Sequence, residues 1–382
     1  MKIDVKFLAG LLVGVLATML VVGLTMGGSS DSETPRIEPL GPAGSEPVPG
    51  PADGEDEEVE VDAGDGEEFK AVEEPPTTPV PSSGEGRISC PEPTVTVSSA
   101  LELVEALEAA GPGTVIKLAP GVYQGRFVAT TTGTKEKPIF VCGEKESIID
   151  GGGVKKGYAF HLDDVSHWRL VGFTVRHSQK GVMADKTNDT IIQDLAVHHI
   201  GDEAIHLRNF SSRNTVQYNL IYATGLRREK FGEGVYLGSA ESNWEQFSGG
   251  KMDRSDENTV RGNVIRATAE AIDIKEGTSN GRIIGNVFDG SKLGGSKHND
   301  SWVDVKGNGY LIEGNQGAGT NADGFQTHQI VEGWGTGNVF RGNVIDLGDS
   351  GGVGINDTVG GNTIACDNKV TGGPLTKKDG CS

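Results

Sequence analysis

NTVRGNVIRATAEAIDIKEGTSNGRIIGN, residues 258–286, contains two copies of the motif that decides the fold. Each copy is a short apolar run that ends in Gly-Asn, and the terminal asparagines, Asn263 and Asn286, lie 23 residues apart. Related runs end at Asn315 and Asn343, at further intervals of 29 and 28 residues. A repeat of this length, built from short strands with no helices between them, is typical of a β-solenoid. We therefore predict an all-β fold, a single-stranded right-handed parallel β-helix, over residues 90–382.

A second repeated segment supports the same register. AIDIK (271–275) aligns without gaps with WVDVK (302–306) and with six further five-residue segments. Positions two and four are mostly apolar, so we expect them to face the core and positions three and five to face solvent. The third positions are His161, Met183, His206, Tyr236, Asp273, Asp304, Gln326 and Gly354. The fifth positions are Asp163, Asp185, Arg208, Gly238, Lys275, Lys306, His328 and Asn356.

Two further features complete the predicted solenoid. The segment Ser99–Ala110 predicts a short helix with Leu101, Val104 and Leu107 on one face and Ser98 or Ser99 as N-cap. This helix would cap the open N-terminal end of the solenoid. The repeated asparagines are expected to adopt left-handed turn geometry and to stack as a ladder of side chains.

The acidity of the chain is concentrated in one segment. The whole chain carries 34 Lys and Arg against 54 Asp and Glu, which argues against a nucleic-acid binder. Residues 31–89 contain 17 of these acids, only 3 bases, and 10 of the 16 prolines. Because this segment has few large apolar residues to bury, we predict a disordered linker over residues 29–89.

An apolar segment precedes the linker. Residues 7–26 contain no charge and follow Lys2 and Lys6, which predicts a transmembrane signal-anchor helix within residues 1–28. A cleaved signal peptide is the alternative. In either case the chain is exported, and we expect it at the extracellular face of the cell membrane or secreted.

Four cysteines lie near the two ends of the predicted solenoid. In an exported chain an even number of cysteines indicates disulfides, and four allow three connectivities. Local pairing, Cys90 with Cys142 and Cys366 with Cys381, would hold each end of an elongated domain. No Cys-x-x-Cys motif is present, which argues against a zinc knuckle.

The central coils carry stacked charges of the same sign. Asp273 is expected directly above Asp304, and Lys275 directly above Lys306, at a spacing of about 4.8 Å. Two stacked carboxylates with Glu270 nearby predict a Ca²⁺ site, because Ca²⁺ binds oxygen ligands. A lysine beside a second lysine loses its proton more easily, so Lys275 is the candidate general base. The alternative is a solvated face on which Asp and Lys side chains neutralise each other.

Neighbouring coils and one insertion add candidates. His206, Arg208 and His328 join the two lysines as candidate catalytic groups. The interval from Asn219 to Asn263 is 44 residues, so one coil carries an insertion, and long loops on a solenoid tend to carry function. The arginines of this insertion would form a positive wall, and its tryptophan a platform for a sugar ring. The candidate substrate-binding residues are Tyr236, Glu233, Arg227, Arg228 and Trp244.

Over roughly residues 95–370 the sequence resembles the pectate-lyase-like superfamily of right-handed parallel β-helix proteins. Its first part is similar to the chondroitinase-B and alginate-lyase family. The matching segments are Ala100–Leu103, Gly111–Tyr123, Lys137–Ile139, Ile149–Gly152 and Trp168–Phe173.

The resemblance implies a Ca²⁺-dependent lyase that cleaves an acidic polysaccharide by β-elimination, with a lysine that takes the C5 proton. It also implies Glu270 and Asp273 as metal ligands, although Asp273 stands where the family has a glutamate, and Lys306 in the place of an assisting arginine. The N-T-D and G-H-G signatures of the polygalacturonase branch are absent.

We therefore expect a membrane-tethered or secreted monomer that binds and cleaves an acidic polysaccharide. A non-catalytic glycan-binding or adhesive protein is the second hypothesis. A uronate epimerase or a glycoside hydrolase in the same groove is the third. A hydrolase needs two carboxylates at a defined spacing, for which Asp273 and Asp304 lie too close.

Overall fold

In the computed structural model, residues 73–294, 299–377 and 380–381 are described. In this part of the chain, short strands form three sheets in which every strand pairs in parallel with strands of the adjacent coils. The predicted parallel β-helix is therefore confirmed. The predicted membrane helix lies outside the described residues, and none of the described helices is long and apolar enough to span a membrane.

The strands of the three sheets follow one another in each coil. Sheet A has eleven strands: Val95–Val97, Val115–Leu118, Ile139–Cys142, Trp168–Val171, Ile191–Gln193, Thr215–Gln217, Thr259–Arg261, Arg282–Ile284, Leu311–Glu313, Val339–Arg341 and Thr363–Ile364. Sheet B has ten: Gly121–Gln124, Ser147–Asp150, Thr174–Ser178, Ala196–Ile200, Leu220–Tyr222, Val264–Arg266, Val287–Asp289, Gln316–Ala318, Val344–Asp346 and Lys369–Thr371. Sheet C has nine: Phe127–Ala129, Tyr158–Asp163, Lys180–Asp185, Ile205–Arg208, Val235–Leu237, Ile272–Ile274, Val303–Val305, Phe325–Thr327 and Ile355–Asp357.

Sheet C contains the predicted five-residue segments in the predicted register. Ile272 and Ile274 are buried in the core, and Asp273 pairs directly with Asp304. The expectation that positions three and five face solvent is wrong for the central coils. Asp273, Asp304 and Lys306 are only 3%, 7% and 8% exposed, because ion pairs and the loops beside the strand Val235–Leu237 cover them.

The predicted asparagine ladder is confirmed. The Oδ1 atom of Asn286 accepts a hydrogen bond from the backbone N–H of Asn263 at 3.0 Å, and the pattern repeats in later coils. Left-handed geometry was expected at the asparagines, but it lies one residue earlier, at Gly262 and Gly285 (φ 62° and 61°). A Cβ atom on Gly262 would also come within 2.4 Å of Tyr218, so both conformation and space favour the Gly-Asn pair there.

The capping helix is confirmed as α1, Ala100–Glu108, with Ser99 as N-cap. Its buried face differs from the predicted one. Leu103, Ala106 and Leu107 pack against the first coils, whereas Leu101 and Val104 are 68% and 38% exposed. Apolar residues lie both on the predicted face and on the buried face, and the way α1 packs on the first coils determines which face is buried.

Both predicted disulfides, Cys90–Cys142 and Cys366–Cys381, are present at the two ends of the solenoid. The predicted linker lies mostly outside the described residues. Its final part, residues 73–89, contains no helix or strand, but it contacts the outer faces of sheets A and B. We call this segment the N-terminal strap.

Candidate functional site

A cavity of about 340 Å³ lies on the outer face of sheet C, in the middle of the solenoid. Strands of sheet C form its floor. The loops before and after the strand Val235–Leu237 form its walls, and they contain two turns of 3₁₀ helix and the short helix α2, Trp244–Ser248. These loops make up the insertion that the sequence predicts.

Most of the predicted site residues come together in this cavity. Those that line it are His206, Arg208, Arg228, Glu233, Tyr236, Glu270, Asp273, Lys275, Asp304, Lys306 and His328.

Arg227 and Trp244 do not line the cavity, so their predicted roles are not supported. The Arg227 guanidinium lies 2.5 Å from the buried carboxylate of Asp202. The Trp244 indole donates a hydrogen bond to the backbone carbonyl of Ser239 at 3.0 Å. Their places in the wall are taken by Arg228, Lys230, Phe231 and Phe247.

The central charges form one ion-pair network. The Lys275 ammonium lies 2.7 Å from Asp273, and the Lys306 ammonium lies 2.9 Å from Asp273 and 2.5 Å from Asp304. Burial disfavours the charged lysines, but the carboxylates outweigh it and raise the pKa of Lys275 and of Lys306 above the usual value. The prediction that Lys275 loses its proton more easily than usual is therefore wrong, and both side chains are ammonium groups at neutral pH.

A cluster of carboxyl groups adjoins these lysines. Glu233, Glu270 and Asp273 each place one oxygen within 4.8 Å of the others. Asp304, predicted as a further metal ligand, is not a member of this cluster, and one of its oxygens lies 2.5 Å from the Lys306 ammonium. Glu233, predicted as a substrate-binding residue, takes its place.

Burial and mutual repulsion control the protonation of this cluster. Burial and then the charge of Asp273 raise the pKa of Glu270 to about 8. Burial raises the pKa of Glu233 well above its usual value, assisted by Glu203 and Glu270. Two acids of the cluster are therefore largely neutral at pH 7, which leaves the cavity with an excess of positive charge suited to an anionic ligand.

The residue types of the cluster fit Ca²⁺, which binds carboxylate oxygens in flexible geometry. The Oε2 atom of Glu233 is buried and has no hydrogen-bond partner among the described residues. Buried polar atoms are normally bonded, so a bound ligand would satisfy this oxygen. Lys275 and Lys306 already bond the two oxygens of Asp273, so an ion would compete with them for that carboxylate.

Tyr236 lies beside both groups of charges. Its ring centroid is 4.9 Å from the Lys275 ammonium and 4.4 Å from the His206 ring. Burial and then Asp273 raise the pKa of Tyr236 well above its usual value. Burial also lowers the pKa of His206 well below its usual value, so this imidazole is neutral.

The structure adds cavity residues that the sequence reasoning did not select. Lys180 and Glu203 form a buried ion pair at 2.9 Å at one end of the cavity, and the Arg208 guanidinium lies 3.7 Å from the Phe247 ring centroid. Glu203 comes directly before a five-residue segment of sheet C, as Glu233 and Glu270 do, and this shared position could have identified it as a cavity residue. No signal distinguishes Phe247 from Trp244, because only the packing of α2 decides which ring faces the cavity.

Comparison with known proteins shows which proteins share this sequence and fold. No family profile and no curated protein matches the sequence. Among solved structures, an alginate lyase from Paenibacillus sp. str. FPU-7 is 33% identical, with a TM-score of 0.69, over 74% of this chain and 97% of that chain. Pectate lyase Pel9A is 15% identical, with a TM-score of 0.54 over 75% of this chain and 82% of that chain, and shows the shared fold alone.

The parallel β-helix fold together with the 33% identity to a lyase places the chain among the β-helical polysaccharide lyases. More closely, the chain belongs to the same lyase family as the Paenibacillus alginate lyase.

Proposed function

We propose that this chain cleaves a uronate polysaccharide such as alginate by β-elimination in the cavity on sheet C. The observation that carries this proposal is the pair of ammonium groups at the cavity floor: Lys306 is buried, and Lys275 is half-buried and lies beside the Tyr236 ring. The 33% identity to an alginate lyase supports the choice of substrate class.

The chemistry needs three groups. Positive charge must neutralise the uronate carboxylate, a base must take the C5 proton, and an acid must protonate the oxygen that leaves C4. As the C5–H bond breaks, its electrons form the C4–C5 double bond, and the C4–O bond breaks with its electrons passing to the oxygen. Lys306 is placed to supply the positive charge.

Lys275 and Tyr236 are the proton-transfer groups in this proposal. Lys275 is protonated, so it serves as the acid and not as the predicted base. The phenolate of Tyr236, whose ring centroid is 4.9 Å from the Lys275 ammonium, takes the C5 proton. Because the pKa of Tyr236 is raised, little phenolate exists at pH 7, and the rate should increase as the pH rises above neutrality.

We also propose that Ca²⁺ participates, with Glu233, Glu270 and Asp273 as its ligands. A bound Ca²⁺ would withdraw electron density from the uronate carboxylate and so acidify the C5 proton. The buried, unpartnered Oε2 atom of Glu233 supports this part of the proposal.

The test is a spectrophotometric assay of the full chain on a panel of uronate polysaccharides, with Ca²⁺ or with EDTA. We expect the ultraviolet absorbance of an unsaturated uronate to rise on alginate and the rise to stop in EDTA. An equal rate in EDTA would remove Ca²⁺ from the mechanism and leave neutralisation to the lysines. A flat trace with retained polysaccharide binding would refute the lyase and favour an adhesive protein or an epimerase.

We further propose that the chain is exported and acts outside the cytoplasm as a monomer. The two disulfides support export, because such bonds persist in oxidising compartments. Cell fractionation tests this placement. Recovery in the membrane fraction would favour the predicted anchor, and recovery in the medium would favour a cleaved signal peptide.

A further inference from the structure

A chain of hydrogen bonds ends at His328, at the edge of the cavity next to Lys306. The Asp323 carboxylate accepts hydrogen bonds from the Asn356 amide at 2.7 Å and from the Gln326 amide nitrogen at 3.0 Å. The Gln326 side-chain oxygen lies 2.7 Å from the Nε2 atom of His328. Asp323 and Gln326 are only 5% and 4% exposed, so water does not replace these contacts.

This chain fixes where the His328 proton resides. The carboxylate of Asp323 is an acceptor, so Gln326 must direct its NH₂ group towards Asp323 and its carbonyl oxygen towards His328. That oxygen is also only an acceptor, so the Nε2 atom of His328 must carry the hydrogen. In the neutral ring the Nδ1 atom is then left with a lone pair.

The Nδ1 atom of His328 is available to a ligand. It lies 3.9 Å from the Asp304 carboxylate, beyond hydrogen-bond distance, and the side chain lines the cavity with 34% of its area exposed. Among the described residues no donor bonds this atom. In its neutral form the ring therefore presents a hydrogen-bond acceptor at the cavity wall, 3.9 Å from the Asp304 carboxylate with which Lys306 pairs.

We propose that His328 binds a free hydroxyl group of the sugar next to the reacting uronate, and that Gln326 is the positioning residue that keeps His328 an acceptor. This inference rests on the proposed function and adds a specificity to it. A sugar hydroxyl can donate to the Nδ1 atom. An O-acetylated sugar has no hydrogen there and places carbonyl oxygen and bulk against a lone pair, so the site discriminates against acetylated polysaccharide.

The proton assignment can be tested without any turnover. Long-range ¹H–¹⁵N NMR of the full chain, labelled in histidine, distinguishes the two neutral tautomers, and the His328→Phe variant identifies the signals. We expect His328 in the Nε2–H form, and a mixture of forms in the Gln326→Leu variant. A wild-type His328 in the Nδ1–H form would overturn the inference and leave the lyase proposal intact.

The specificity is tested with one uronate polymer in its O-acetylated and deacetylated forms. We expect the wild type to prefer the deacetylated form by about tenfold in kcat/KM. His328→Phe and Gln326→Leu should reduce the preference to about one, through a higher KM and not a lower kcat. The matched control Gln316→Leu, on an exposed residue of sheet B, should retain the preference.

Two kinetic outcomes would overturn the inference: no preference in the wild type, or a large loss of kcat at unchanged KM in His328→Phe. The second would make His328 a catalytic residue. If the chain cleaves neither polymer, the proposed function fails on its own, and calorimetric binding of the two polymers decides the hydroxyl recognition. Equal affinity for both forms would then overturn it.

Discussion

Lys275 differs from a surface lysine because its ammonium group lies 2.7 Å from the Asp273 carboxylate and beside the Tyr236 ring. We expect Lys275→Ala to lower kcat by about a thousandfold, the loss typical of removing a positioned proton donor. The fold should survive, because Lys306 still pairs with Asp273. Turnover measured together with circular dichroism checks this, with Lys292→Ala, an exposed lysine, as the control. Retained turnover, or loss of the β-sheet spectrum, would count against the assignment.

Glu270 links the stability of the chain to pH. Its pKa is about 8 in the folded chain, against 4.5 for an exposed glutamate, so between these values the folded state binds a proton that the unfolded state releases. Folding stability should therefore fall as the pH rises from about 4.5 to 8. In EDTA, the melting temperature of Glu270→Gln should fall less over this range than that of the wild type or of Glu108→Gln, an exposed control. Parallel curves for all three would refute the shift.

The sequence predicts which charges stack but not how their side chains pair. The two-residue alternation fixes Asp273 against Asp304 and Lys275 against Lys306, and the structure confirms the Asp273–Asp304 register. A lysine side chain is long enough to reach its own strand or the next one. Lys275 bonds Asp273 on its own strand, whereas Lys306 bridges two strands, and these choices determine the pKa values.

At the level of elements, the asparagine ladder is the device that holds successive coils in register. In each step one side chain accepts from the asparagine of the preceding coil and donates to a strand carbonyl, as Asn286 does with Asn263 and Val260. All these groups are buried, so the ladder satisfies polar atoms that water cannot reach.

Removing one step should be costly. Asn286→Ala leaves the buried backbone N–H of Asn263 without its acceptor and also removes the bonds to the Asn263 amide and the Val260 carbonyl, and an unpaired buried group costs about 1–3 kcal/mol. We expect a clear fall in melting temperature by circular dichroism, and a smaller fall for the exposed control Asn321→Ala, whose amide donates only to two loop carbonyls. Equal melting temperatures for the two variants would show that the ladder does not stabilise the solenoid.

Elements with a strict period are predictable from the sequence, whereas elements without one are not. The strands of sheet C repeat with every coil, so their register follows from the positions of Ile272 and Val303. The helix α1 has apolar residues on two overlapping faces, and its docking selects Leu103 over Leu101. In the insertion, adjacent residues take opposite roles: Arg227 bonds Asp202 and Arg228 faces the cavity.

Across the whole molecule, the N-terminal strap extends over two of the three sheets. Ile88 exchanges two hydrogen bonds with the Gln193 side chain, at 2.8 and 2.9 Å. The Arg87 guanidinium pairs with Asp194 and lies 4.2 Å from the Tyr218 ring centroid. The prediction of disorder for residues 29–89 rests on the average composition of the whole segment. An average cannot reveal a few specific contacts such as these, which lie close to Cys90.

The strap should stabilise the solenoid as well as connect it. A chain that begins at residue 90 keeps both disulfides but loses the contacts of the strap with Gln193, Asp194 and Tyr218. We therefore expect it to melt at a lower temperature than a chain that begins at residue 73. Arg87→Ala in the full chain should show part of this loss, because it removes the ion pair and the ring contact together. If the chains that begin at 73 and 90 melt at the same temperature, the strap contacts do not contribute to stability, and residues 73–89 serve only as a tether.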